Sequence, residues 1–274
     1  MTFPPIVVPL DGSHDAEVVL PFAQELAAAL PADLRLVHVL PPSSESAGLA
    51  DDNLQFYIRR LEERCDIPAS CWLPAVTAAT AAGGILGAAS DAGLLALASH
   101  GQGGFRAATV GSVADRVVRQ SHVPVLFVPV RAGSAPLAGR PIIAGLDGSA
   151  ASEHAAGLAR RFAKALAAPV HVVEAYSAPA ILRAAAIGID LLGIMRENIE
   201  ESLTAAVLPG ETSAVLHGAA HEVLLEEAER LNAGIIAVGM QGEGLTTRLL
   251  RGSTTDRLMH TTRRPLLAVP LDAE

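Results

Sequence analysis

The sequence predicts an α/β protein made of two tandem domains, each a five-stranded parallel sheet with helices on both faces. Two observations predict it. The chain repeats itself, and within each half short β-branched runs alternate with Ala/Leu-rich segments at helical spacing, the pattern of a parallel sheet joined by crossover helices.

The repeat is read from both ends of the halves. "PIVVPLDGS" (Pro5 to Ser13) returns as "PIIAGLDGS" (Pro141 to Ser149), 136 positions later. "HVPVLFVPV" (His122 to Val130) returns as "RRPLLAVPL" (Arg263 to Leu271), 141 positions later. The second half therefore carries about five extra residues in its middle. The expected domains are 1–130 and 141–274, joined by a Gly/Ala/Ser/Pro-rich linker over 131–140.

Strands are expected near Ile6 to Leu10, Leu34 to Leu40, Cys71 to Pro74, Leu94 to Ala98 and Val125 to Val128 in the first half. In the second they fall near Ile142 to Leu146, Val170 to Ala175, Thr212 to His217, Ile235 to Gly239 and Leu266 to Val269. After Asp11, the stripe Val18, Val19, Phe22, Ala23, Leu26, Ala27 and Leu30 has three- and four-residue spacing and predicts a helix. Parallel sheets of this kind bind ligands outside the carboxyl ends of the strands, where the strand order reverses.

Composition removes several function classes. At 274 residues and 50% hydrophobic the chain is long enough for two domains with their own cores. No strongly apolar run of membrane-spanning length is free of turn residues, and MTFPPIVVPLDGS lacks the basic start and cleavage site of a signal peptide, so a cytoplasmic protein with no membrane partner is expected. Only Cys65 and Cys71 are present, outside any CxxC pattern, which suits a reducing compartment. The formal charge is −9 and no basic run exceeds a pair, so nucleic acid is not an expected partner.

The loops after the fourth strands carry the chemistry. One reads Ala98-x2-Gly101-x9-Gly111-Ser112 and the other Gly239-x2-Gly242-x9-Gly252-Ser253. Glycines at a strand end let the backbone approach a bulky anion and turn free N–H groups toward it. The Gly-Ser pair then opens a helix whose first amides and positive dipole end add to the same site. A plainer reading stands beside this one: Ser112-x-x-Asp115 and Ser253-x-x-Asp256 match the capping-box pattern, so each serine could serve only its helix. A Walker A loop is excluded because Lys164, the single lysine, follows no glycine loop, and neither first strand is followed by GxGxxG.

On these residues, the strand ends "VPLDGS" and "AGLDGS", the Gly-x2-Gly-x9-Gly-Ser loops and the closing "PVLFVP" and "PLLAVP", the chain resembles the universal stress protein family in its tandem two-domain form. The resemblance implies a Rossmann-like, adenine-nucleotide-binding fold with ATP, with or without Mg, as the ligand of many members and not of others. It places Asp11 and Asp147, with Pro9 and Gly145, near a ribose, and Val39 and Ala175 beside adenine. Around the phosphates it places Ala98, Gly101, Gly104, Gly111, Ser112 and Val113 in the first domain. In the second it places Gly239, Gly242, Gly244, Gly252, Ser253 and Thr254 there. Two departures matter: Ala98 stands where the family has glycine and its methyl would crowd the loop, and Glu243 brings a like charge that repels a triphosphate unless it points away or helps hold a divalent ion. The fuller motif makes the second domain the expected stronger site. His100 and Arg106, or Arg248 and Arg251, are the cationic candidates nearby.

The resemblance further implies that the last strands pair antiparallel within the chain, Val125 to Val128 against Leu266 to Val269, hiding two sheet edges and leaving room for a homodimer. His217 and His221 have a helical ligand spacing but no third ligand nearby, so no metal site is expected. No nucleophile elbow or kinase motif set appears, and no catalytic residue is assigned. The expected function is ATP binding in stress response or signalling, through nucleotide-dependent conformation or partner choice. The alternatives are an ATP-independent interaction scaffold with vestigial sites, or a slow ATPase that phosphorylates its own Ser112 or Ser253. Phe56 and Trp72 are read as packing or interface residues, and the acidic pairs Asp51-Asp52 and Glu62-Glu63 as solvated helix faces.

Overall fold

The computed structural model describes residues 2–40, 47–67, 69–73, 76–100, 110–176, 200–201, 203–240 and 253–271. The chain divides into two compact units, the first reaching Pro136 and the second running Leu137–Leu271. Leu137 is fully buried, Gly139 donates its N–H to the Leu166 carbonyl at 2.9 Å, and Arg140 donates to the carbonyls of Asn232 and Ala233. Residues 137–140, expected as linker, are thus packed onto the second unit.

In the first unit β1 (Ile6–Pro9) leads through a turn to the short α1 (His14–Glu17), then α2 (Leu20–Ala29), β2 (Leu34–Val37) and β3 (Val39–Leu40). The long α3 (Ala47–Cys65), a 3-10 turn at Ala69–Cys71, β4 (Val76–Thr77) and α4 (Ala81–Ala88) follow. The unit closes with β5 (Leu94–Ala98), α5 (Ser112–Gln120) and β6 (Val125–Val128). The main ladder runs β2-β1-β5-β6, parallel throughout, and β3 pairs β4 in a separate parallel ladder. The order reverses between β1 and β5, and their carboxyl ends form the crevice where such sheets take ligands.

Two expectations change here. The Cys71 to Pro74 strand is instead the end of the 3-10 turn followed by a single parallel bridge, Trp72 to Leu36, and the regular pairing starts at Val76. The Leu73 N–H donates to the Leu36 carbonyl at 2.9 Å and the Val76 N–H to the His38 carbonyl at 3.1 Å, so a step of three positions here answers a step of two there and the ladder is not continuous. The single helix expected after Asp11 is split into α1 and α2 because Pro21 occupies the first turn of α2, where a missing N–H costs nothing but which it cannot extend backward. The predicted stripe is still the buried one: Val19, Phe22, Ala23 and Leu26 are 3% exposed or less.

In the second unit β7 (Ile142–Leu146), α6 (Ala150–Ala165), β8 (Val170–Tyr176), β9 (Thr212–His217), α7 (Ala220–Arg230), β10 (Ile235–Gly239), α8 (Ser253–Thr261) and β11 (Leu266–Val269) are described. The ladder runs β11-β10-β7-β8-β9, five strands, all parallel, with the reversal between β7 and β10. Gly157 stands where Pro21 stands in the first repeat, so α6 is continuous through the position that breaks its counterpart.

In the first unit, α1 is tied to α3 by charge. Glu17 is 6% exposed and accepts from Arg60 Nη2 at 2.7 Å and from Arg64 Nη2. The Arg60 guanidinium lies 5.0 Å from the centre of the Tyr57 ring, which meets Trp72 edge to face at 5.8 Å. Burial first, then the Glu17 charge, pushes the Tyr57 hydroxyl's pKa well up. Trp72 is therefore a packing residue, whereas Phe56 of α3 is 71% exposed, and Glu62 and Glu63 of the same helix face solvent as expected. No described helix is long and apolar enough to cross a membrane.

Candidate functional site

The Asp-Gly-Ser turns that end β1 and β7 are built alike. Asp11 Oδ1 accepts from the Ser13 N–H at 3.0 Å and its hydroxyl at 2.6 Å; Asp147 Oδ1 accepts from the Ser149 N–H at 3.1 Å and its hydroxyl at 2.6 Å. Each serine in turn caps the following helix, Ser13 accepting from Ala16 N–H and Ser149 from Ser152 N–H, both at 3.2 Å. Gly12 and Gly148 sit at φ +87° and +76°, a conformation that requires glycine between the two partners. In both repeats one carboxylate oxygen holds the turn, and in the first unit Asp11 lines the crevice.

In the first unit this crevice is a cavity of about 250 Å³. Seven of the residues the sequence marks out line it: Pro9, Asp11, Val39, Ala98, Gly111, Ser112 and Val113. Its apolar walls come from residues the sequence reading did not single out, chiefly Val37, Leu97, Ala81 and Ile85. The i,i+4 pair Ala81 and Ile85 on α4 is the signal that could have found them. Gly84 allows that wall to form, because a Cβ there would lie 2.6 Å from a Val39 methyl carbon.

At the other end of the cavity α5 begins. Its N-cap is Gly111, with no side-chain cap, and Ser112 is the first helical residue. Ser112 therefore does not cap α5 in the manner the capping-box pattern suggests. Gly111 donates its N–H to the Ser99 carbonyl at 2.8 Å, and a Cβ on it would sit 3.1 Å from that same oxygen. Ser112, Val113 and Ala114, whose amides open the helix, all line the cavity. First-turn amides have no partner within their own helix, and they make this end suited to an anion.

The second unit places Gly145, Asp147, Ala175 and Gly239 at the carboxyl ends of adjoining strands, with Thr254 in the first turn of α8. Ser253 is the first residue of that helix, and the buried Thr255 donates its hydroxyl to the Gly239 carbonyl at 3.1 Å. Gly101, Gly104, Gly242, Gly244 and Gly252 lie outside the described residues, as do Arg106, Glu243, Arg248 and Arg251.

Gly239 has a clear reason of its own. A Cβ there would lie 2.6 Å from the Ala151 carbonyl carbon and 2.7 Å from the Ser152 nitrogen, so the strand end packs directly on the backbone of α6. The glycine serves the approach of the helix to the strand. In the first repeat α1 is only a four-residue turn, and Ala98 lines the cavity.

The two crevices differ in charge. Position 174 of the second repeat is Glu, where the first has His38. His38 Nδ1 lies 2.7 Å from the Leu10 carbonyl, so it donates there. Glu174 is half-buried, and burial, then the charges of Asp147 and Glu153, raise its pKa. A carboxyl whose folded pKa is raised weighs against the fold once pH climbs above its unfolded value. Glu174→Gln is accordingly expected to raise the thermal midpoint at pH 7, with the gain disappearing as pH falls below the ordinary carboxylate value; a midpoint unchanged at both pH values would remove the strain argument. His217 ends β9 while His221 lies in α7, and among the described residues no three His, Cys, Asp or Glu side chains gather to hold a metal.

Comparison with known proteins settles the family. The sequence model described as the Universal stress protein family matches residues 2–64, 85–129 and 139–270. The chain belongs to the universal stress protein family. Universal stress proteins of Mycobacterium tuberculosis and Mycobacterium bovis are each 25% identical to it over 187 residues. That stretch covers 65% of this chain and spans 62% of the length of those relatives. Among solved structures, a protein of Pseudomonas aeruginosa UCBPP-PA14 matches 98% of this chain and 93% of its own at TM-score 0.71 and 19% identity. A universal stress protein from Archaeoglobus fulgidus DSM 4304 matches 97% and 98% at TM-score 0.65 and 18% identity. At these identities the structural likenesses speak for the fold alone. The universal stress protein match covers both repeats, including the two Asp-Gly-Ser turns and the starts of α5 and α8.

Proposed function

We propose that this universal stress protein binds an adenine nucleotide, ATP with or without Mg, in the cavity of its first unit, and holds it rather than turning it over. The observation that carries this reading is the cavity itself. Asp11, a partner for ribose hydroxyls, stands at one end; apolar walls from Val37, Val39, Leu97 and Ile85 suit a flat base; and the uncapped start of α5 suits phosphate. No base or nucleophile is assigned to turnover, so bound nucleotide acts by favouring one conformation or partner, in stress response or signalling.

The same reading assigns the main site to the first unit, the reverse of the order expected from motif completeness. Glu174 and Asp147 put two carboxylates at the second crevice, where an anion would meet repulsion. Titration calorimetry with ATP and Mg-ATP is expected to give one nucleotide per chain. Asp11→Ala should weaken binding about tenfold or more, the worth of a charge-assisted hydrogen bond, while the matched Asp147→Ala, which disturbs an identical turn, leaves it. Absence of binding at millimolar ligand, together with no nucleotide released on heat denaturation, would leave the interaction-scaffold alternative; two equal sites would defeat the one-site part.

A further inference from the structure

We propose that His100 is a specificity-determining residue of the first unit's cavity, its imidazole held by Ser99 as the neutral Nε2–H tautomer so that it donates to an acceptor on the phosphate portion of the ligand. This rests on the nucleotide reading above and deepens it.

Hydrogen-bond accounting assigns the tautomer. Ser99 is 6% exposed, and its Oγ accepts from the Val130 N–H at 3.0 Å. The same oxygen lies 3.0 Å from His100 Nδ1. A hydroxyl has one proton to give, and among the described residues the only acceptor in contact with Ser99 Oγ is that ring nitrogen. Giving it there satisfies the buried hydroxyl and leaves Nδ1 unprotonated. The neutral ring then carries its proton on Nε2.

Nε2 is shielded from water and, among the described residues, has no hydrogen-bond partner. A buried donor left unpaired costs about 1–3 kcal/mol, so a fold that keeps one beside a cavity has an acceptor to gain when that cavity fills. His100 lines the cavity next to Gly111 and Ser112, at the end where the α5 amides gather. Backbone N–H groups recognise any anion at a helix start, whereas a side-chain N–H of fixed tautomer selects by position. The ligand class implied is a phosphorylated nucleoside rather than the bare nucleoside.

The test uses the full chain, with ATP and adenosine as probes. Long-range proton–nitrogen NMR on labelled protein is expected to show His100 Nδ1 as the unprotonated nitrogen, and Ser99→Ala to mix the tautomers. Calorimetry should show His100→Leu losing about tenfold in ATP affinity with adenosine nearly unchanged, and His100→Gln, which keeps a donor near the Nε2 position, recovering most of the loss. Thermal midpoints of both variants establish that they fold. A proton on Nδ1 in the wild type overturns the proposal, and so does His100→Leu binding ATP as the wild type does. If the wild type binds neither ATP nor adenosine, the nucleotide reading itself falls; if it binds both and only the His100 contrast is missing, that reading stands and this one is lost.

Discussion

Gly239→Ala is expected to destabilise the second unit by about 3 kcal/mol, at the upper end for adding a single methyl group to a packed interior. The added carbon would fall 2.6 Å from a backbone carbon of α6, and backbone in a sixteen-residue helix cannot step aside as a side-chain tip would. The helix start would have to shift, and with it the Ser149 cap and the Asp147 turn. The mirror experiment in the first repeat has the opposite character. Ala98→Gly removes a methyl and costs only the usual penalty of glycine in a strand, about 0.5–1 kcal/mol. Urea unfolding, followed with probes in each unit because two units need not unfold together, checks both values. Equal stability of Gly239→Ala and wild type would show that the glycine is there for something other than helix approach.

Gly111→Val should abolish most nucleotide binding in a chain that still folds, at an overpacking cost of about 1–3 kcal/mol. Gly111 has φ −63° and ψ 144°, open to any residue, so no backbone strain is expected from the change itself. The obstacle is space: a Cβ already stands 3.1 Å from the Ser99 carbonyl, and a branched side chain must push that strand end or the α5 start aside. Either movement disturbs the Ser99, His100 and Ser112 end of the cavity. A loss of about thirtyfold or more in ATP affinity is expected, roughly 2 kcal/mol, with Gly111→Ala between valine and wild type. ATP affinity within about threefold of wild type for the valine variant would mean that this end of the cavity does not hold the phosphates.

Much of the fold was legible because burial leaves a periodic record. The strands Leu94–Ala98, Val125–Val128, Ile142–Leu146, Thr212–His217, Ile235–Gly239 and Leu266–Val269 have the bounds their apolar runs and turn residues suggest. The third strand of the first unit begins at Val76 because the pairing slips by one position between Leu73 and Val76 against Leu36 and His38, a register change that residue types do not announce. The split of the first helix was written in Pro21, but the apolar stripe crossing it was the louder signal.

By itself, the sequence determined the duplication, the α/β class, the sheet ends at which folds of this kind take ligands, and the lack of a lysine-based phosphate loop motif. These follow from local chemistry: periodicity, glycine and proline positions, and residue types that are present or absent. Tertiary structure alone decided what particular residues are for. Gly239 in the loop motif proves to be the place where a strand meets a helix backbone, and Ser112 proves to be inside α5 with Gly111 at its cap. His100 gains its meaning only when Ser99 and Val130, thirty-one positions apart, bring their polar groups together beside it. Such roles depend on which atoms approach within about 3 Å, and spacing along a chain does not encode that distance until the core has closed.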